Sequence, residues 1–255
     1  MMSAEKKIYF ISDLHLGVPT LEDSHERELK LICFLDSIKD ETETLFLMGD
    51  LFDFWFEYKT VVPRGYVRLL GKLAQFVDEG IPVHLFAGNH DLWTFGYLEK
   101  EIGLKVHRKP TIFDIKGKQF FLAPGDGLND KSKGFAFIRK IFHSKTCQWL
   151  FRTLIPPSIG LNSGYKWSES NRKKHLKNGE CKYKGENNEP LVCFAKQHNQ
   201  KSPDINYYVF GHRHILLHLM LNAKTQMAIL GDFMQQFTYV TFDGKNFEIH
   251  YFENE

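Results

Sequence analysis

The sequence predicts an α/β fold built on a largely parallel sheet, and three observations predict it. Short apolar runs recur and each ends in a polar group: KIYFIS into Asp13, TLFLMG into Asp50, PVHLFAG into Asn89 and NYYVFG into His212. Continuous apolar runs of this length read as strands buried on both faces. Between the first three lie helical patterns over roughly 23–39 and 63–79, and strands alternating with helices make βαβ units. The C-terminal stretch differs: HILLHLML, TQMAILG, FTYVTF and FEIHYF are separated by Asn222-Ala223-Lys224, Asp232 and Asp243-Gly244, which predicts an antiparallel meander.

Taken in chain order, the first strand follows MMSAEKK, a charged cluster too weakly apolar to serve as a signal peptide, and no later run approaches the roughly 18 apolar residues of a membrane span. A cytoplasmic protein is expected. At 255 residues the chain suits one large domain, 1–255, with its own core. Cys33, Cys147, Cys181 and Cys193 show no CxxC pair, so they read as reduced packing residues, not a disulfide framework. The net charge of +2 says little by itself. Its distribution says more, because Lys131 to Lys184 carries thirteen Lys/Arg against two Glu, with Phe135, Phe137, Phe142, Trp149, Phe151, Tyr165, Trp167 and Tyr183 interleaved. A helical cap insertion over about 131–190 is expected there.

The chemistry lies in four pieces: D-x-H at Asp13 and His15, G-D-x-x-D from Gly49 to Asp53, G-N-H-D from Gly88 to Asp91, and G-H-x-H from Gly211 to His214. One D-x-H is worthless alone, and an isolated Asn-His-Asp is usually a turn. Four such pieces, each closing a strand-like run, point to ligands gathered at the carboxyl edge of a sheet. Carboxylates combined with imidazoles suit Mn²⁺, Fe²⁺ or Zn²⁺ better than Ca²⁺ or a thiolate-held structural zinc. Glycine beside the ligand, as at Gly49, Gly88 and Gly211, permits a sharp turn and leaves room for phosphate.

These motifs resemble the calcineurin-like metallophosphoesterase superfamily, over the span from Asp13 to His214. The resemblance implies a four-layer sandwich, two mixed β-sheets flanked by helices. It implies that Asp13, His15 and His214 hold one metal, that Asp50 bridges, and that Asn89 and His212 hold a second. His90 would be the acid or phosphate contact; the plainer reading makes it a loop residue ordered with Asp91. SDLHLG, GDLFDFWFEY, the Gly-Asp turn before the basic insertion and GHRH look most like the UDP-2,3-diacylglucosamine diphosphatases of lipid A synthesis. That implies hydrolysis of a nucleotide pyrophosphate to UMP and a diacylglucosamine 1-phosphate, with Mn²⁺ as the cofactor. Two departures stand out: His90 occupies a position where many members carry Arg, and FFLAPGDGL has Pro124 where the resembled turn reads His-Gly-Asp. Proline cannot coordinate, so an asymmetric centre is expected, tight at Asp13, His15, Asp50 and His214 and weak or absent at the other position, unless Asp126 reaches it.

KGFAFIRKIF and CQWLFRTLIPPSIG alternate bulky apolar and cationic residues, a pattern suited to acyl chains beside diphosphate or an anionic membrane surface. A partner at the cytoplasmic face of the inner membrane is therefore expected. Two alternatives stand beside it: a nucleic-acid surface, and a helical pair whose aromatics simply face the body. Ser170, Arg172, Lys174 and Lys177 are candidate substrate-phosphate contacts; in a helix Ser170, Lys174 and Lys177 share a face. Asp130 is a candidate for a uracil or sugar hydrogen bond, or a cap for a helix starting near Ser132. A degenerate relative that binds such a ligand with little turnover is the other functional class, and metal content separates the two.

Overall fold

Alternation along single strands sets the layers. In β1 (Lys7–Ile11) Ile8 and Phe10 face one side while Tyr9 and Ile11 face the other, and all four are buried. The same split runs through β2 (Thr42–Leu47) and β3 (Val83–Phe86), so the sheet has to be covered on both faces. In this computed structural model, which describes residues 6–17, 21–129, 140–177 and 182–253, and side chains outside 21–23 and 172–177, two mixed sheets satisfy that demand. The first has the order β11-β10-β1-β2-β3-β4, parallel from β1 to β4 (Lys105–His107). The second has the order β5-β6-β7-β9-β8, with β6 (Lys118–Ala123), β7 (Tyr207–Phe210) and β9 (Thr225–Leu230) parallel. At its edges β5 (Thr111–Ile115) and β8 (Leu216–Asn222) run antiparallel to their neighbours.

Between the sheets Phe10, Phe46 and Phe86 meet Phe120, Leu122 and Val209. Each fully buried side chain of this size contributes ~1.5–3 kcal/mol. Outside the first sheet lie α1 (Leu21–Ile38) and α2 (Val67–Asp78), bringing Leu31, Phe34, Leu69, Leu73 and Phe76 onto it. Helix α2 starts four residues later than its apolar period suggests, because Tyr66 adopts φ 59° and donates its hydroxyl to the Leu16 carbonyl. Glu28 of α1 accepts from the Leu69 amide and so supplies the cap that α2 lacks. A one-turn helix, α3 (Tyr97–Lys100), leads into β4. Helices α4 (Lys145–Leu154) and α5 (Pro157–Lys177) follow, and α6 (Pro190–Lys201) covers the outer face of the second sheet through Leu191, Val192 and Ala195. The expected sandwich of helix, sheet, sheet and helix is the one observed.

Two expectations need correction. The C-terminal runs are not one meander: β8 and β9 pair in the second sheet, whereas β10 (Thr238–Phe242) and β11 (Phe247–Tyr251) pair in the first. The crossing is made at Asp232, whose Oδ1 accepts from the amides of Met234, Gln235 and Gln236 and turns the chain from one layer to the next. Nor is Cys33 a packing residue. It lies on the exposed face of α1, while Cys147 and Cys193 are half-buried free thiols; Cys181 lies outside the described residues.

His84 and His107 stack between the sheets at 5.1 Å, their Nδ1 and Nε2 atoms 2.9 Å apart, with Phe113 edge-on to both. Burial, with the nearby His107 and Lys105 adding to it, pushes His84 down to about 4. The unfolded chain takes up this proton near pH 6.5, so the stability tied to neutral His84 is fully present above that pH and is lost as pH falls from about 6.5 through about 4. Urea midpoints measured across this window should report a loss on the order of 2 kcal/mol, and His84→Phe should flatten that slope.

Candidate metal centre

Five candidate ligands share an uncommon backbone. Asp13, His15, Asp50, His212 and His214 all have positive φ, between 42° and 72°. Outside glycine this region is sparsely populated and costs of order 1–3 kcal/mol per residue. The neighbouring strands impose it: Asp13 donates its amide to the Gly49 carbonyl, and both Leu14 and His15 donate to the Asp50 carbonyl. The turn after β1 is therefore laced to the turn after β2. The turns after β3 and β7 join through side chains, since the His90 amide donates to Asp50 Oδ1 and the His212 amide to Asp13 Oδ2. Two glycines permit this closeness. A β-carbon on Gly88 would lie 2.3 Å from Asp50 Oδ1, and one on Gly211 would lie 1.9 Å from Ser12 Oγ.

Three donors converge. Asp13 Oδ1 is 3.8 Å from His15 Nε2 and 3.6 Å from His214 Nε2, and the two imidazole nitrogens are 3.3 Å apart. A triangle with those sides has its centre about 2.1 Å from each corner, the length of a metal–imidazole bond. Asp13 Oδ1 is buried without a hydrogen-bond partner, and so is Asn89 Oδ1. Buried orphan oxygens of this kind are met by a cation or an ordered water. The donor set thus fits a borderline divalent metal. Beside it His212 Nδ1 stands 4.0 Å from Asp50 Oδ2.

The electrostatics agree. Burial opposes charge on His15, yet Asp13, Asp53 and Asp50 outweigh it and push the imidazole up to about 10. Burial likewise opposes charge on Asp50, but His90, His212 and His15 hold its carboxyl far below the usual range. His212 is raised, against its own burial, by Asp50 and by Asp126.

His90 is held against the neighbouring motifs. Its Nδ1–H donates to the Asp53 carbonyl at 2.6 Å, its ring packs edge-on against His15 at 4.7 Å, and burial lowers its pKa despite Asp50 nearby. The ordering task falls to Asp91, which accepts from the amides of Gly88 and Leu51, both at 2.7 Å. Pro124 lies at the end of β6 between two site glycines: its Cβ is 2.9 Å from where a Gly49 β-carbon would be, and its carbonyl accepts from the Gly211 amide. Asp13, His15, Asp50, Asn89 and His90 follow strands of the first sheet and His212 and His214 follow β7 of the second, so the ligands gather where two sheets meet and not at the edge of one, with Pro124 against them. The proposed substrate contacts do not all reach view. Ser170 is exposed on α5. Arg172, Lys174 and Lys177 lie on the same helix, but their side chains, like all of Asp130, fall outside the described residues.

Sequence reasoning missed four residues. Asp53 Oδ1 approaches His15 Nδ1 and His90 Nδ1 at 3.7 and 3.9 Å, making a second cluster of metal-competent side chains with them. Asp232 Oδ2 lies 3.9 Å from His214 Nδ1, and Glu189 grips Arg213 in a two-pronged ion pair between the two histidines of GHRH. Ser168 reaches in from α5 to Asp53. The second Asp of G-D-x-x-D was the only visible signal among them, because partners of ligands are chosen by space and not by spacing.

The calcineurin-like phosphoesterase family model matches residues 6–216. A UDP-2,3-diacylglucosamine hydrolase of Porphyromonas gingivalis is 37% identical, covering 93% of this chain and 94% of that protein. Another, of Vibrio atlanticus, is 25% identical over 95% of this chain and 96% of its own. Among solved structures, a dimetal phosphatase of Danio rerio aligns over 96% of this chain and 98% of that one, at 12% identity and a TM-score of 0.42. With four motifs meeting at the ends of strands from both sheets, three donors closing on a metal-sized gap and a matched span that contains them all, the chain belongs to the calcineurin-like phosphoesterase family.

Proposed function

We propose that this protein is a metal-dependent hydrolase that cleaves the pyrophosphate of UDP-2,3-diacylglucosamine, releasing UMP and 2,3-diacylglucosamine 1-phosphate. The observation that carries the hydrolytic reading is the Asp13–His15–His214 triangle with Asp50, Asn89 and His212 beside it. The substrate reading is supported by the end-to-end similarity to the Porphyromonas hydrolase. Asp13, His15, Asp50 and His214 would hold one Mn²⁺, and Asp50, Asn89 and His212 a weaker second. Bound metal supplies an activated water and neutralises phosphate oxygens for in-line displacement. The rest falls to the chain. His90, with Nδ1–H committed to the Asp53 carbonyl, keeps Nε2 for the substrate, where the protonated ring would donate to a phosphate or leaving oxygen. Asp50 aligns it through the His90 amide.

The single domain would carry its cap over about 131–190, and the cap would hold the acyl chains. Phe142, Phe151 and Tyr165 pack on Phe54, Phe56, Tyr58 and Trp93, as the plain packing alternative expects of them. Trp149, Leu154 and Ile159 do not: they are 61%, 67% and 57% exposed, near Lys145 and Arg152. Apolar side chains left in water beside cations suit a lipid at the inner face of a membrane, although no described helix is long and apolar enough to cross one. Ser170, Arg172, Lys174 and Lys177, further along α5, and Asp130 would contact the phosphates and the nucleoside.

The test is release of UMP from UDP-2,3-diacylglucosamine with Mn²⁺, followed as the acyl chains are shortened. Each CH₂ removed from the cap should weaken apparent binding by about 0.8 kcal/mol. Equal rates on soluble UDP-sugars and on the lipid would show that the insertion does not clamp acyl chains, and turnover of nucleic-acid diesters in preference to both would overturn the substrate reading.

A further inference from the structure

Helix α5 meets the metal-facing residues through Trp167, whose ring lies 6.0 Å from that of His90, and through Ser168. Ser168 is fully buried, its Oγ donates to Asp53 Oδ1 at 2.7 Å, and it lies 3.3 Å from His90 Nδ1. The approach depends on the same face of the helix one and two turns earlier, at Gly164 and Gly160. A β-carbon on Gly164 would come within 2.2 Å of Phe54 Cε1, and one on Gly160 within 2.1 Å of the Tyr58 hydroxyl. The helix backbone therefore lies directly on the segment that follows Asp53.

Asp53 is where this contact matters. Its Oδ1, the atom that accepts from Ser168, is the one facing His15 Nδ1 at 3.7 Å and His90 Nδ1 at 3.9 Å. Both are ion-pair distances longer than a hydrogen bond, whereas the serine hydroxyl donates to the same oxygen at 2.7 Å. His15 Nδ1 is buried without a hydrogen-bond partner and faces Asp53 Oδ1. A carboxylate behind a metal-binding imidazole orients the ring and raises its basicity.

We propose that Ser168 is a positioning residue: by holding the Asp53 carboxylate it orients His15 and His90, so that docking of the insertion is a condition for an aligned centre. The proposal rests on the reading of His15 as a metal ligand and His90 as the phosphate contact. It assigns the insertion a second task, distinct from holding a lipid.

The experiment compares Ser168→Ala and Ser168→Cys in the full chain. Cysteine keeps the volume and loses most of the donor strength. The side-chain nitrogen resonances of His15 and His90 in metal-free protein should shift in both variants, and Mn²⁺ affinity measured by calorimetry without substrate should fall about tenfold. On substrate, kcat should fall by a similar factor with KM within about twofold. Unmoved ring resonances with unchanged Mn²⁺ affinity would overturn the proposal. A loss in the alanine variant that cysteine fully restores would make Ser168 a packing residue, and a rise in KM at unchanged kcat would make it a substrate contact; either also overturns it. If the wild type proves inactive on every phosphate compound tried, the functional reading fails while the resonance and metal-affinity measurements still decide this one.

Discussion

Asp50→Asn should abolish hydrolysis and leave the fold standing. The backbone at Asp50 is held by its own carbonyl, which accepts from Leu14 and His15, and asparagine keeps that bond and the oxygen that accepts from the His90 amide. What disappears is the charge. Three imidazoles, His90, His212 and His15, face this carboxylate and hold it ionised against its burial, and a neutral amide cannot bridge two cations or balance them. A loss in kcat beyond about 10³-fold is expected, equivalent to ~4 kcal/mol of transition-state stabilisation, with thermal unfolding by circular dichroism within a few degrees of wild type. Wild-type turnover in the variant would end the bridging assignment. A collapsed melting temperature would instead show Asp50 to be needed for folding.

Pro124→His should build the weaker half of the centre. Residue 124 sits at the end of β6 between Gly49, which precedes Asp50, and Gly211, which precedes His212. An imidazole placed there would join the two side chains already facing one another, Asp50 Oδ2 and His212 Nδ1, 4.0 Å apart, and the buried Asn89 oxygen. Wild-type protein should retain one tight metal equivalent after gel filtration. The variant should retain two, and its half-saturating Mn²⁺ concentration for activity should fall about tenfold or more. Asp126 already acts electrostatically on His212; if it supplies the missing donor, wild type will hold two equivalents and the substitution will add nothing. That result would remove the asymmetry.

Much of this protein could be read from the chain because its strands carry their own labels. An apolar run long enough to be buried on both faces and closed by Asp, Asn or His identifies β1, β2, β3 and β7; parallel strands joined by helices share one carboxyl edge, which brings the ends of β1, β2 and β3 together, whereas β7 reaches them from the second sheet. Helices α1 and α2 follow from the same periodicity. The pairing of β8 with β9 and of β10 with β11 was legible as local turn chemistry, but the sheet each hairpin joins was not. Adjacent pairing is local, and so is the turn at Asp232, whereas the choice of sheet rests on long-range contacts such as the bond from the Phe233 amide to the Ser12 carbonyl. The metal-facing motifs were likewise legible as residue types, and their left-handed backbones were not, because positive φ at Asp13, His15, Asp50, His212 and His214 is imposed by bonds between loops far apart in sequence. Ser168 and Asp53 mark the same boundary. Ser168 looks ordinary in its own segment and Asp53 closes a motif without naming its partner; they come together because two glycines let α5 settle against Phe54 and Tyr58, which brings a hydroxyl to a carboxylate 115 residues away along the chain.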